Sequence, residues 1–226
     1  MKYEAVIFDM DGTIIDSMWI WNELASRSFI RNGVDVPDNL EHTIFSMNFS
    51  EAANYCIKLI GSDQTPDQLI EEWSKDAKLL YAEEITLKPY VREFLKFLKS
   101  SGYTVCLTTS NFLEIAQMIL ERFSISSYFD SITVTSEVER SKLFPDVFLL
   151  TARKHDIEPE KCIVFEDSYY AIQGAKEAGM TVIGVYDDYT RYLEDEIKLL
   201  SDDFIYTFEG LEKNTHFSGN GMIGSK

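Results

Sequence analysis

The sequence predicts an α/β protein in which an all-helical block interrupts a parallel-sheet core. Three observations carry that expectation. The chain enters an apolar run, Ala5-Val6-Ile7-Phe8, that reads as a buried strand; residues 17–83 are patterned only as helix; and from Lys88 onward helical segments alternate with short apolar strands. Such alternation implies parallel strands covered by helices on both faces. The helical block is then an insertion, with a core domain of residues 1–16 and 84–226 and a helical domain of residues 17–83.

Each element has a local reason. In the helical block the apolar residues recur as Trp19, Leu24 and Phe29, then Ala52, Tyr55, Ile57 and Leu59, then Leu69, Trp73, Leu79 and Leu80. Beyond it, a helix begins near Pro89, turns Val91, Phe94, Leu95 and Leu98 inward, and stops at Gly102. A strand over residues 103–108, a helix over 112–122, a strand over 132–134 and a helix over 145–154 follow. Strand 162–165, helix 169–178, strand 181–185 and a short strand over 204–206 complete the core. The tail from Asn214, with Gly219, Gly221 and Gly224, reads as frayed.

Composition narrows the class. At 226 residues, 45% hydrophobic and 26% charged, the chain is long enough for one large core with a smaller appendage. It has no apolar run long enough to span a membrane and no charged leader with an apolar signal stretch, so a cytoplasmic protein is expected. Cys56, Cys106 and Cys162 lie in apolar surroundings without paired spacing, which fits buried, reduced thiols. A formal charge of −17 repels nucleic acid and anionic membrane, so neither is expected as a partner, and a monomer is expected. An anionic substrate would need local cations, backbone amides and a metal.

Four segments carry chemistry. Asp9 and Asp11 stand where the first strand gives way to the Gly12-Thr13 turn, and paired carboxylates at a strand end suit metal-assisted phosphoryl transfer. In the second, the strand ending Thr108-Thr109-Ser110-Asn111 runs hydroxyls straight into a helix, where a hydroxyl and amides could cradle phosphate. The third places Lys142 just before a helix begun by Pro145, and the fourth ends a buried strand in Glu166-Asp167-Ser168. Taken singly, each has a plain reading: a solvated Asp-Gly turn, a cap by Ser110 or Asn111, a surface lysine, a cap by Asp167 or Ser168. Asp16 and Ser17 likewise read as a helix cap.

In this order the segments resemble the haloacid dehalogenase superfamily of phosphotransferases, and most closely its beta-phosphoglucomutase-like phosphatase branch. Asp9-Met10-Asp11-Gly12-Thr13 is similar to the first motif, Thr109 to the hydroxyl motif, Lys142 to the cation motif and Glu166-Asp167 to the metal motif. The resemblance implies a Rossmann-like core whose first strand is central, flanked by the Thr109 strand and the Glu166 strand, with the helical block as a cap domain. It also implies roles. Asp9 would be the nucleophile that forms an aspartyl-phosphate, and Asp11 the acid and base. Asp9, the backbone carbonyl of Asp11, Asp167 and Glu166 would hold Mg2+. Lys142, Thr109, Ser110 and Asn111 would bind phosphate, and Trp21 in the cap would face the substrate.

Asp11 argues against metal-free dehalogenation, since members with that chemistry lack the second aspartate. Mutase members carry a cap histidine where this chain has Trp21, and a cap arginine not evident in Ser46-Met47-Asn48-Phe49-Ser50. The expected activity is therefore hydrolysis of a small phosphorylated metabolite, with phosphosugar mutase as the alternative. A non-catalytic phosphate- and metal-binding protein is a further alternative. Another departure is Leu143-Phe144 after Lys142, where relatives commonly carry proline. Trp19, Trp21 and Trp73 could line a substrate pocket or pack the helical domain.

Overall fold

The computed structural model describes residues 2–45, 47 and 49–217. The chain divides into two compact units, one of Met1–Asp16 with Thr86–Lys226 and one of Ser17–Ile85.

The first unit is built on a sheet of six parallel strands: β1 (Ala5–Phe8), β4 (Thr104–Thr109), β5 (Ser131–Val134), β6 (Cys162–Glu166), β7 (Thr181–Val185) and β8 (Asp203–Ile205), in the order β5-β4-β1-β6-β7-β8. β1 is central, with Phe8 level with Leu107 of β4 on one side and Phe165 of β6 on the other. All four β1 residues are buried, which explains the unbroken apolar run. Successive residues serve opposite faces. Ala5 and Ile7 join the cluster under the helices α7 (Asp146–Arg153) and α8 (Tyr169–Glu177), with Val147, Phe148 and Ile172. Phe8 stacks on Phe165 at 5.0 Å and meets Phe94 of helix α5 (Val91–Ser100) edge-on at 6.1 Å.

Phe217 corrects the reading of the tail. It is 1% exposed and packs edge-on against Phe94 at 5.3 Å and Tyr103 at 5.8 Å, so the chain is held to the core as far as Phe217. Gly219, Gly221 and Gly224 lie outside the described residues.

Helix α6 (Leu113–Arg122) starts after Phe112 with no side-chain cap, and α8 starts after Ser168 likewise, so the capping readings of Ser110, Asn111, Asp167 and Ser168 do not hold. Helix α9 (Glu194–Leu200) escaped the periodicity because Ile197 is its one buried residue. Strands β2 (Ile15–Asp16) and β3 (Thr86–Leu87) form an antiparallel ribbon where the chain leaves and re-enters this unit; at two residues each, they are too short for any alternation to register.

The second unit is helical: α1 (Trp19–Arg31), α2 (Leu40–Phe45), α3 (Phe49–Ile60) and α4 (Pro66–Glu83). Met18 precedes α1 without a side-chain cap. Helix α4 opens on a capping box, Thr65 with Gln68, and has Pro66 in its first turn. Its buried stripe is Leu69, Trp73, Ala77, Leu80 and Tyr81, at helical spacing, while Leu79 is 59% exposed because it stands 100° from Leu80 on the helix wheel. Among the described side chains of α3, Ala52, Ala53 and Cys56 are buried and Leu59 is exposed. Trp73 is a core residue of this unit, its Nε1 donating to Ser28 Oγ at 2.8 Å. Trp19 and Trp21 on α1 are half-buried. Ser46 and Asn48 lie outside the described residues. Among the described residues no helix is long and apolar enough to cross a membrane.

Candidate active site

Parallel pairing brings remote segments to one edge of the sheet. Asp9 follows the last residue of β1, and its amide donates to Phe165 O at 3.0 Å, so Asp9 emerges beside Glu166, the last residue of β6. Thr109 ends β4 on the other side of β1. Ligand-binding groups in open α/β sheets collect at this carboxyl edge.

Lys142 joins two of these strand ends. Its Nζ donates to Asp9 Oδ1 at 2.5 Å and to Glu166 Oε2 at 2.8 Å, and all three residues are buried. Asp167 is also buried, and Thr13 Oγ1 donates to its Oδ1 at 2.8 Å. Gly12 makes that approach possible. Its φ is +79°, and a Cβ there would lie 2.4 Å from Asp167 Oδ2. Gly174 does the same for the cation: α8 passes so close to the Lys142 loop that a Cβ at 174 would lie 2.1 Å from the Lys142 carbonyl oxygen. Leu143, by contrast, is exposed, and Phe144 lies beneath the Arg140 guanidinium at 4.6 Å.

Ligand oxygens of Asp9, Glu166 and Asp167 lie within 4.8 Å of one another. One ammonium against three buried carboxylates leaves an excess of negative charge out of water, and an all-oxygen donor set suits a hard divalent cation. The electrostatics agree. Burial, with Glu166 and Asp11 nearby, pushes the Asp9 carboxyl up to about 8 against the opposing pull of Lys142. Burial, then Glu166 and Asp9, holds Asp167 well above the ordinary carboxylate range. For Lys142, burial works downward, but Asp9 and Glu166 carry it above the usual lysine value.

These shifts set a direction for pH. An unfolded Asp9 loses its proton near 3.8, whereas the folded carboxyl keeps it until about 8, so the folded state binds more protons between those values. In chelator, thermal stability is expected to fall as pH rises from about 5 to about 8, with a shallower slope in Asp9→Asn. An added divalent cation should raise the melting temperature more at the upper end, where it has no proton to displace. A metal-free melting temperature that climbs over this range would contradict the assignment of raised pKa values.

The hydroxyl segment forms a tight turn. Asn111 N donates to Thr109 Oγ1 at 3.0 Å, and Phe112 N donates to Asn111 Oδ1 at 2.9 Å. Thr109 is buried and Ser110 is exposed. Asn111 Nδ2 donates to Asp11 Oδ2 at 3.2 Å, which links the second segment to the first. Trp21 belongs to the other unit.

Three participants were not singled out from sequence. Gly174 had a signal, a glycine inside a helix. Lys88 and Asp187 had none: Lys88 Nζ donates to Asp187 Oδ2 at 2.9 Å and to Tyr186 O at 2.8 Å. Asp187, past the end of β7, adds to the upward push on Asp167.

Residues 6–185 match the family model for haloacid dehalogenase-like hydrolases. The chain is 29% identical over 177 residues to a phosphorylated carbohydrates phosphatase of Thermotoga maritima, covering 78% of this chain and 82% of that one. It is 28% identical over 191 residues to the fructose-1-phosphate phosphatase YqaB of Escherichia coli, covering 81% and 97%. A solved Thermotoga maritima structure, provisionally called a beta-phosphoglucomutase, superimposes with a TM-score of 0.78 at 27% identity, covering 89% of this chain and 94% of that one. With the matched segment spanning every strand from β1 to β7 and all four chemical segments, the chain belongs to the haloacid dehalogenase-like hydrolases.

Proposed function

We propose that this phosphoric monoester hydrolase is a Mg2+-dependent phosphatase of small sugar or sugar-like phosphates, acting through an aspartyl-phosphate on Asp9. The observation that carries the reading is the buried constellation of Asp9, Lys142, Glu166 and Asp167 at the ends of β1 and β6. The phosphorylated-carbohydrate relatives support the substrate class.

In the first step an Asp9 oxygen attacks phosphorus, the bond from phosphorus to the leaving oxygen breaks, and Asp11 delivers a proton to that oxygen. In the second, the Asp11 carboxylate takes a proton from water, whose oxygen bonds to phosphorus as the bond to Asp9 breaks. Lys142 offsets the charge of the nucleophile and of the transferring group. Thr109 Oγ1 accepts from Asn111 N and so keeps its own proton to donate to a phosphate oxygen, alongside the amide of Ser110. Mg2+, held by Asp9, Asp167, the Asp11 carbonyl and Glu166, would supply charge neutralisation for the phosphoryl oxygens. The helical unit would act as a cap, with Trp21 against the leaving group, and three buried free thiols suit a reducing cytoplasm.

The test is phosphate release by pure protein from p-nitrophenyl phosphate, hexose phosphates and hexitol phosphates, with Mg2+ and with chelator. Mg2+-dependent release, fastest with a carbohydrate phosphate, is expected. Isomerisation of a hexose phosphate without release would instead establish the mutase, and no turnover of any compound would establish a binding protein.

A further inference from the structure

Asn111 sits between the hydroxyl turn and the first motif, and its orientation is determined chemically. Phe112 N is a donor, so the Asn111 side-chain atom 2.9 Å away must be the carbonyl oxygen Oδ1. The atom 3.2 Å from Asp11 Oδ2 is then the NH2 group, which only donates. The contact fixes the rotation of the Asp11 carboxyl relative to the hydroxyl turn. The Asn111 backbone is itself held by Thr109 Oγ1, so the amide is anchored at both ends of the turn.

We propose that Asn111 is a positioning residue that holds the Asp11 carboxyl in the orientation from which it delivers the proton to the leaving group. This rests on the phosphatase reading above. In the step concerned, the O–H bond of the Asp11 carboxyl breaks and a new O–H bond forms on the leaving oxygen as phosphorus passes to Asp9. Asp11 then remains as a carboxylate that still accepts from Asn111. A misdirected proton matters only where the leaving group needs one. Alkoxides need it and p-nitrophenolate does not. A residue that merely bound phosphate would affect every substrate alike.

Two neutral variants test this. Asn111→Ala removes the whole amide; Asn111→Ser leaves a hydroxyl near the Phe112 amide whose reach stops short of Asp11. Each is compared with the parent for kcat/KM with an alkyl phosphate and with p-nitrophenyl phosphate, for the inhibition constant of inorganic phosphate, and for melting temperature. Expected in both variants are losses of about tenfold to a hundredfold with the alkyl phosphate. With p-nitrophenyl phosphate the loss should stay within about threefold, and phosphate inhibition should be unchanged. Equal losses for the two substrates, or weakened phosphate inhibition accompanying them, would overturn the positioning role. So would an alkyl phosphatase rate that either variant leaves intact. A parent without turnover on any phosphate would overturn the phosphatase reading itself, and is recognised before any variant is compared.

Discussion

Asp9→Asn is expected to lower phosphatase turnover by about 10⁴-fold or more, because an amide of nearly the same shape is a poor nucleophile. Its second expected effect has the opposite sign. The Asp9 carboxylate is buried against Glu166 and near Asp11, and its raised pKa means that stability is lost as pH rises from about 3.8 to about 8, the loss being complete above that. An asparagine keeps an oxygen for Lys142 without that charge. The variant should thus be more stable than the parent in chelator at alkaline pH, by an amount on the order of a few kcal/mol. Inactivation with stabilisation marks a group kept for chemistry at the expense of the fold. Turnover within tenfold of the parent, or lower stability at every pH, would show that Asp9 has another role.

Lys142→Met is the second large effect. Methionine fills a similar volume, but Asp9, Glu166 and Asp167 would then face one another with no protein cation among them. Removing one partner of a buried ion pair costs about 3–5 kcal/mol when the remaining charge stays ionised. Here the carboxyls have a way out, since they can take up protons, so the loss should be largest near pH 8 and smaller near pH 6. Mg2+ should recover part of the stability by supplying positive charge, while turnover stays low because Lys142 no longer offsets the nucleophile's charge. Chemical denaturation of the metal-free and Mg2+-loaded variant at the two pH values checks this. A pH-independent loss would point to packing against Phe148, whose ring lies 5.7 Å from the lysine nitrogen, as the main contribution.

The core strands were legible because burial on both faces writes itself as an apolar run. Ala5–Phe8 and Thr181–Val185 coincide with their expected bounds for that reason. What depends on contacts between distant residues was not legible locally. Lys142 reads as a surface lysine until β1 and β6 are paired, since 133 positions separate it from Asp9. The four ordered motifs, through the family they resemble, supplied that pairing in advance. The Asn111 contact was out of reach even so. A helix-capping rule applied to Ser110 and Asn111 misses a turn in which the Asn111 carbonyl serves its neighbour and its amide crosses to Asp11. In the helical unit the errors came from taking apolar residues by run, where the three- and four-residue spacing of Leu69, Trp73, Ala77 and Leu80 separates buried from exposed.

A covalent bond from phosphorus to Asp9 can be caught by acid-quenching the Mg2+-loaded protein during turnover of its best substrate and mapping its peptides by mass. The mass of one phosphoryl group is expected on the peptide that carries Asp9, absent from the Asp9→Asn protein and lost on chasing with buffer before the quench. Steady turnover with no modified peptide at any quench time, or the phosphoryl group on a residue other than Asp9, would contradict that bond.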